Sequence, residues 1–403
     1  MTTTLADTWG LHESQFWLRG KRPASRVEFA EELGMWNVYG HPEAEEILRD
    51  PTRFSSDTTR LVPEEMAKET DMKELSEGTL LQLDPPLHNK MRKLVSRAFT
   101  PKVVADLEPR IAAITHEMLD AVAGKDRLEL VADLAYPLPV IVIAELLGVP
   151  ASDRHLFKQW VDKMFENSEQ VSLVKQDEKQ DLAIKKSLEQ QQNLRNYLGE
   201  HVDDRMRNPR EDLITKLVEA EVDGERLNRN EVINFANILL LPGHITTTML
   251  LGNTVLSLDA HPEWFARARA DRSLVPAVIE ESLRYLTPFA AVARVTNTET
   301  EVGGVTIPAD QMLIVWVAAA NRDERVFASP DVFDAARDPN PHLAFGRGIH
   351  FCIGAPLARL EGRVALNILF DRFPALRTIS DEPPQFQVNP NMTGVRTLPL
   401  ACT

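Results

Sequence analysis

Between Phe345 and Gly354 the chain reads Phe-Gly-Arg-Gly-Ile-His-Phe-Cys-Ile-Gly, which places Cys352 at the end of a glycine-rich loop. The next residues, Ala355-Pro356-Leu357-Ala358-Arg359-Leu360, read as the opening of a helix. Pro356 suits a first-turn position, where a backbone N–H has no internal partner. Cys352 is therefore expected just before a helix N-terminus, where free N–H groups and the helix dipole favour an anion. Such a position lowers a thiol pKa and yields a thiolate. Gly346, Gly348 and Gly354 allow turns that a side chain blocks and let a large planar group come close. Phe345 and Phe351 shield the sulfur from water. A lone intracellular cysteine is usually only a small buried hydrophobe; the pattern around this one is what sets it apart.

The rest of the composition narrows the class. The 403 residues allow a large core, with 43% hydrophobic and 26% charged residues as in ordinary globular proteins. A formal net charge of −15 argues against nucleic acid as a partner. No run approaches about 18 apolar residues, so no membrane anchor is expected. Residues 1–10 lack a signal pattern, and two cysteines, one of them Cys402, make no disulfide framework. The expected compartment is the cytoplasm.

Other stretches carry chemistry-bearing residues. Leu83-Asp84-Pro85-Pro86-Leu87-His88-Asn89-Lys90-Met91-Arg92 starts a helix at its prolines and sets His88 and Arg92 four apart on one face. Taken alone, that spacing is common on solvated surfaces. Long apolar-periodic segments at Val103–Ala123 and Leu134–Leu147 read as core helices, and Asp153–Asn208 as a polar helical region. Glu231–Ala260 is the longest apolar helix candidate and contains Leu241-Pro242-Gly243-His244-Ile245-Thr246-Thr247-Thr248. Pro242 has no N–H for the preceding turn, so a kink is expected. The threonine hydroxyls either hold water beside the freed carbonyls or bond back to the preceding turn. Glu281 and Arg284 lie three apart on a helix face, a pair worth about 0.2–0.5 kcal/mol when exposed.

Together these stretches resemble the cytochrome P-450 family. The match covers the haem-binding loop, Asp-Pro-Pro-x-His-x-x-x-Arg, Glu-x-x-Arg, and the oxygen-binding helix motif, over about Leu83 to Phe370. The resemblance implies a single domain over residues 1–403, mainly α with small β-sheets, with residues 55–82 and 160–200 controlling substrate access. It implies haem b as cofactor, with Cys352 as the metal ligand and Phe345, Gly346, Gly354 and His350 around it. His88, Arg92, Arg294 and His350 are implied to balance the haem propionates. Glu281, Arg284 and Arg337 are implied to form a buried network that holds the cysteine loop. Phe289, Ala290, Ala291, Val292, Ile245, Met392 and Thr393 are implied to line the substrate pocket.

Two departures stand out in the oxygen-binding motif. Pro242 replaces its small first residue, and Ile245 stands where the family has an acid. Thr246 is left as the implied catalytic residue, with His244 a weaker alternative.

The implied reaction is hydroxylation or epoxidation of a bulky apolar small molecule, such as a macrolide, terpenoid or peptide. Electrons would come from a separate ferredoxin and its reductase, since no flavin or nicotinamide region is present. Lys90, Arg92, Lys93, Arg97, Arg347, Arg359 and Arg363 either form a basic docking patch or are scattered surface charges. Two rival readings are a peroxide-driven oxygenase of the same family and a non-catalytic haem-thiolate sensor or electron carrier. Peroxide users tend to have Arg and Pro where Ile245 and Thr246 stand here.

Overall fold

The computed structural model describes residues 5–61, 79–153, 156, 160, 178–387, 389 and 391–402. Its principal helices among the described residues are α1 (His41–Arg49), α2 (Leu87–Ala98), α3 (Glu108–Asp120), α4 (Pro137–Leu147), α5 (Glu178–Arg207), α6 (Leu213–Glu219), α7 (Arg229–Ala260), α8 (Pro262–Ala270), α9 (Val275–Tyr285) and α10 (Ala355–Arg372). Parts of the two implied access segments, residues 62–78 and 161–177, lie outside the described residues.

Helix α7 organises the molecule. It starts at a capping box, in which the Asn228 side chain accepts from the Glu231 N–H and Glu231 accepts from the Asn228 N–H. Two of the orphan donors of the first turn are thereby satisfied. The helix has 32 residues, roughly 48 Å at about 1.5 Å per residue, and packs against α4, α5, α9 and α10. It continues through Pro242 rather than ending there. By length and composition α7 is long and apolar enough to cross a membrane, which the sequence reading did not anticipate. In the fold, 71% of that apolar stretch is buried inside the protein.

The first of the expected core helices divides. Pro101–Ala105 is a short helix capped by the Thr100 hydroxyl, and α3 begins separately at Glu108 with a proline in its first turn. The second begins with a π turn at Val131–Ala135 and stops at Gly148, whose φ of +76° is the left-handed conformation glycine adopts freely.

The largest sheet has five strands: β1 (Val27–Ala30), β2 (Met35–Val38), β3 (Phe54–Ser55), β4 (Val292–Thr296) and β5 (Met312–Val315). Their order is β1-β2-β5-β4-β3, antiparallel except for the β2–β5 pair. Arg294 lies on β4 opposite Leu313. A single large apolar core runs from Ala6 to Cys402, and α7, α9 and α10 all contribute to it.

Candidate active site

The cysteine loop is built as a socket. Gly346 and Gly348 take φ of +70° and +68°, and a side chain on Gly348 would run into the Leu48 carbonyl of α1. The Phe345 carbonyl accepts the Cys352 N–H at 2.9 Å, and α10 begins three residues later at Ala355. The backbone N–H groups of Gly354 and Ala355 point at the sulfur. The Cys352 residue is partly exposed, while its sulfur is enclosed enough for burial to act on it.

The thiol departs from expectation in one respect. Burial pushes the Cys352 thiol up, and this outweighs the two amides, Arg92 and Arg359, all of which favour the thiolate. The helix N-terminus alone does not ionise it. A coordinated cation would, because a coordinating thiol is deprotonated outright.

The residues implied to hold propionates converge from three parts of the chain, α2, β4 and the cysteine loop. His88 on α2 is buried, and its ring centroid lies 4.3 Å from that of His350. His88 Nε2 has no hydrogen-bond partner. His350 Nε2 lies 2.8 Å from the Ser56 hydroxyl. Burial, then Arg294, His88 and Arg92, push the His350 imidazole down to about 3, so the ring is neutral. Arg294 donates to the Ala293 carbonyl, and burial lowers its guanidinium to about 10, opposed weakly by Asp84. Arg92 donates to the Phe351 carbonyl at 2.7 Å, which ties α2 to the cysteine loop.

Among the described residues Asp84 is the one acid acting on Arg294, and both its oxygens are engaged, by the Ser55 hydroxyl at 2.5 Å and the Ser56 N–H at 2.9 Å. Among the described residues, two desolvated guanidiniums and an unpartnered imidazole nitrogen thus share one already engaged acid. A planar group carrying carboxylates and binding a metal on sulfur fits this donor set. Ser56 and Asp84 escaped sequence reasoning as ligand-shaping residues, because Ser56 meets His350 across 294 positions and Asp84 acts by holding the Ser55 hydroxyl and the Ser56 N–H.

Glu281, Arg284 and Arg337 come together in one buried cluster. Arg284 Nε and Nη2 lie 2.8 and 2.7 Å from the two Glu281 oxygens, with both side chains fully buried. Arg337 Nε approaches Glu281 at 3.3 Å, and the Asp334 N–H and Asn340 amide donate to the same carboxylate. Arg284 also holds the carbonyls of Asn321, Pro330 and Val332, so the network anchors the segment leading to Cys352.

In α7 the hydroxyls of Thr246, Thr247 and Thr248 donate to the carbonyls of Pro242, Gly243 and His244 at 2.7, 3.0 and 3.0 Å. All three bond back to the preceding turn, and Thr246 is the one that uses the proline carbonyl. His244 packs edge-on against Tyr136 with ring centroids 5.3 Å apart, and Nδ1 lies 3.0 Å from the Leu240 carbonyl. Burial drives it down to about 4, so it is a neutral core histidine. Ile245 packs with Met249 and Met392 into a small apolar cluster, an environment hostile to an ionised acid.

The implied pocket residues divide. Met392 bridges to Phe289, and the Thr393 N–H donates to the Pro288 carbonyl at 2.9 Å. A side chain on Gly394 would collide with Met249, so this turn lies tight against α7. Phe289 is 39% exposed, and Val292 is half-buried. Ala290 is fully enclosed with Trp17, Tyr39 and Trp316, so its side chain presents no surface to a ligand. The small alanines at 290 and 291 are explained by the large aromatic rings they pack against.

The expected basic patch is largely neutralised. Lys90, Arg347, Arg359 and Arg363 pair with Glu225, Glu45, Glu280 and Glu108. Arg92 and Arg97 donate to main-chain carbonyls, and Lys93 has no such partner among the described residues. Sequence proximity to the cysteine did not show which acids lay opposite.

The comparisons with known proteins agree with this geometry. The family model for cytochrome P450 matches residues 10–400. The chain is 43% identical to the cyclomarin C epoxidase CymV of Salinispora arenicola, covering 96% of this chain and 95% of that protein. It is 41% identical to the erythromycin C-12 hydroxylase of Saccharopolyspora erythraea, over 98% and 95% of the two chains. The solved structure of HmtT, involved in himastatin biosynthesis, superposes with a TM-score of 0.89 at 56% identity over the full length of both chains. A metal-ready cysteine socket, an anion-seeking cluster beside it and these likenesses converge, and the chain belongs to the cytochrome P450 family as a haem-iron monooxygenase.

Proposed function

We propose that this protein binds haem b with Cys352 as the sulfur ligand and hydroxylates or epoxidises a bulky, largely apolar natural product. The observation that carries this reading is the pairing of the amide-lined Cys352 socket with a desolvated cationic cluster in which Asp84 is the one acid acting on Arg294 among the described residues. His88, Arg92 and Arg294 would hold the propionates by charge-assisted hydrogen bonds, with Ser56 orienting His350. When bound, the haem supplies oxygen activation and the oxidation of an unactivated carbon.

The chain's own residues shape the rest. Thr246 presents a hydroxyl whose proton is parked on the Pro242 carbonyl and whose lone pairs remain free to accept. Ile245, next to it in sequence, packs with Met249 and Met392 in an apolar cluster. With Ile245 in place of the acid, proton delivery relies on Thr246, water or a group on the substrate. The turn at Met392–Thr393 and the exposed Phe289 ring supply apolar contact for a large ligand.

The cyclomarin C epoxidase and the erythromycin C-12 hydroxylase favour a complex secondary metabolite over a small hydrocarbon. Electrons would arrive from a ferredoxin and its reductase in the cytoplasm, with Lys93 and the carbonyl-bound Arg97 of α2, which have no acid partner among the described residues, available for docking. Titrating the ferric protein with a panel of such metabolites tests the substrate assignment. A spin-state shift with micromolar saturation supports it, and a shift given only by small hydrocarbons refutes it.

A further inference from the structure

Glu280 precedes the structural Glu281 in sequence but faces a different partner. Its two oxygens take Arg359 Nε and Nη2 at 2.7 Å each, and His342 Nε2 lies 3.0 Å from one of them. Burial opposes ionisation of Glu280, but Arg359 and His342 hold its carboxyl down to about 2, so it is an anion at every working pH. Arg359 in turn lies over the Phe345 ring, 4.5 Å from its centroid, and His342 lies 6.1 Å from the same ring. Phe345 is the residue whose carbonyl holds the Cys352 N–H, and Arg359 is close enough to attract charge on the Cys352 sulfur.

The elements meeting here explain the convergence. Glu280 is on α9 and Arg359 on α10, and the helices pack side by side so that one anion pins one cation against the cysteine loop. The pair is bidentate and its side chains are 30% and 39% exposed. It fixes one cation beside a candidate metal ligand, where that cation can tune the ligand.

We propose that Glu280 is a positioning residue that sets the reduction potential of the iron by holding the Arg359 guanidinium over Phe345 and beside Cys352. This rests on the reading of Cys352 as the iron's sulfur ligand. With Glu280 charged, the Arg359 field on the sulfur is balanced. With Glu280 neutral, an uncompensated cation draws charge from the sulfur and favours the reduced iron.

The test is spectroelectrochemical titration of the haem-loaded protein, with the reduced carbonyl-bound spectrum recorded for each variant. Glu280→Gln is expected to raise the potential by about 59 mV, a tenfold change in the one-electron equilibrium. Arg359→Leu is expected to lower it, Glu280→Asp to leave it near the parent, and the double variant Glu280→Gln/Arg359→Leu to return towards the parent. An unchanged potential in Glu280→Gln, or a double variant no closer to the parent than Glu280→Gln, overturns the proposal. Should Glu280→Gln fail to hold haem, an unchanged potential in Arg359→Leu overturns it equally. A parent protein without the thiolate-type carbonyl band would instead refute the Cys352 reading.

Discussion

The His88 and His350 rings lie 4.3 Å apart with one nitrogen of His88 unpartnered and His350 tied to Ser56. Two imidazoles this close, beside two desolvated guanidiniums and a single engaged acid, make a site that is under-supplied with negative charge. Bound carboxylates would relieve that deficit, and the first prediction follows from it.

Arg294→Met removes a buried cation that β4 holds in place. A hydrogen bond to a charged group contributes about 1.5–3 kcal/mol, so haem should dissociate roughly 10- to 100-fold faster. Transfer of haem to excess apomyoglobin measures this directly. Equal transfer rates in parent and variant would place the propionates elsewhere.

Glu281→Ala leaves Arg284, fully buried, and Arg337, 10% exposed, without their shared anion. Breaking a buried pair from one side costs about 3–5 kcal/mol. Denaturant unfolding of the haem-loaded variant should show a loss of that size together with loss of haem. A change below about 1 kcal/mol would mean that the network is not the anchor of the cysteine loop.

Glu361 on α10 gives a pH signature. It is buried, one of its oxygens has no hydrogen-bond partner, and burial alone raises its carboxyl from 4.5 to about 8. Between these pH values the folded protein keeps the proton and the unfolded chain has lost it. Stability therefore falls as pH rises from 4.5 towards 8, by at most about 1.4 kcal/mol per pH unit, and levels off above. Glu361→Gln should flatten that slope in denaturant titrations across pH. A slope unchanged by the substitution would show that other groups set it.

Thr246→Ala removes the hydroxyl that donates to Pro242 at 2.7 Å. With Ile245 in place of an acid, no neighbouring side chain in the motif takes over its part. Product formed per reducing equivalent should fall several-fold, with reduced oxygen released instead, while fold stability changes by less than about 1 kcal/mol. Unchanged coupling would move the proton path to the substrate. Ile245→Glu should not restore coupling, because the carboxylate would enter the apolar cluster of Met249 and Met392.

Much of this was legible in the chain because the informative residues are close in sequence. The cysteine loop, the His88–Arg92 helix and the Glu281–Arg284 pair each lie within ten residues, where turn chemistry and helical spacing decide who faces whom. The mainly α fold with small sheets was implied by the family resemblance that those segments carry. What escaped depends on packing between distant elements. Ser56 meets His350 across 294 positions, and Arg363 finds Glu108 across 255. Spacing cannot reveal such pairs, so the basic residues near the cysteine looked freer than they are. The thiol was misjudged for a related reason: the helix N-terminus is visible in the sequence, whereas the depth of burial that outweighs it is a property of the whole fold. Ala290 looked like pocket lining until the aromatic cluster around it appeared.

The central claim is that the Cys352 sulfur holds the iron. Reducing the haem-loaded protein, adding carbon monoxide and recording the difference spectrum tests it, with Cys352→Ser as the comparison. The account predicts the strongly red-shifted thiolate-type band in the parent protein, and its loss together with substrate oxidation in Cys352→Ser. The same band and undiminished oxidation in Cys352→Ser would contradict it.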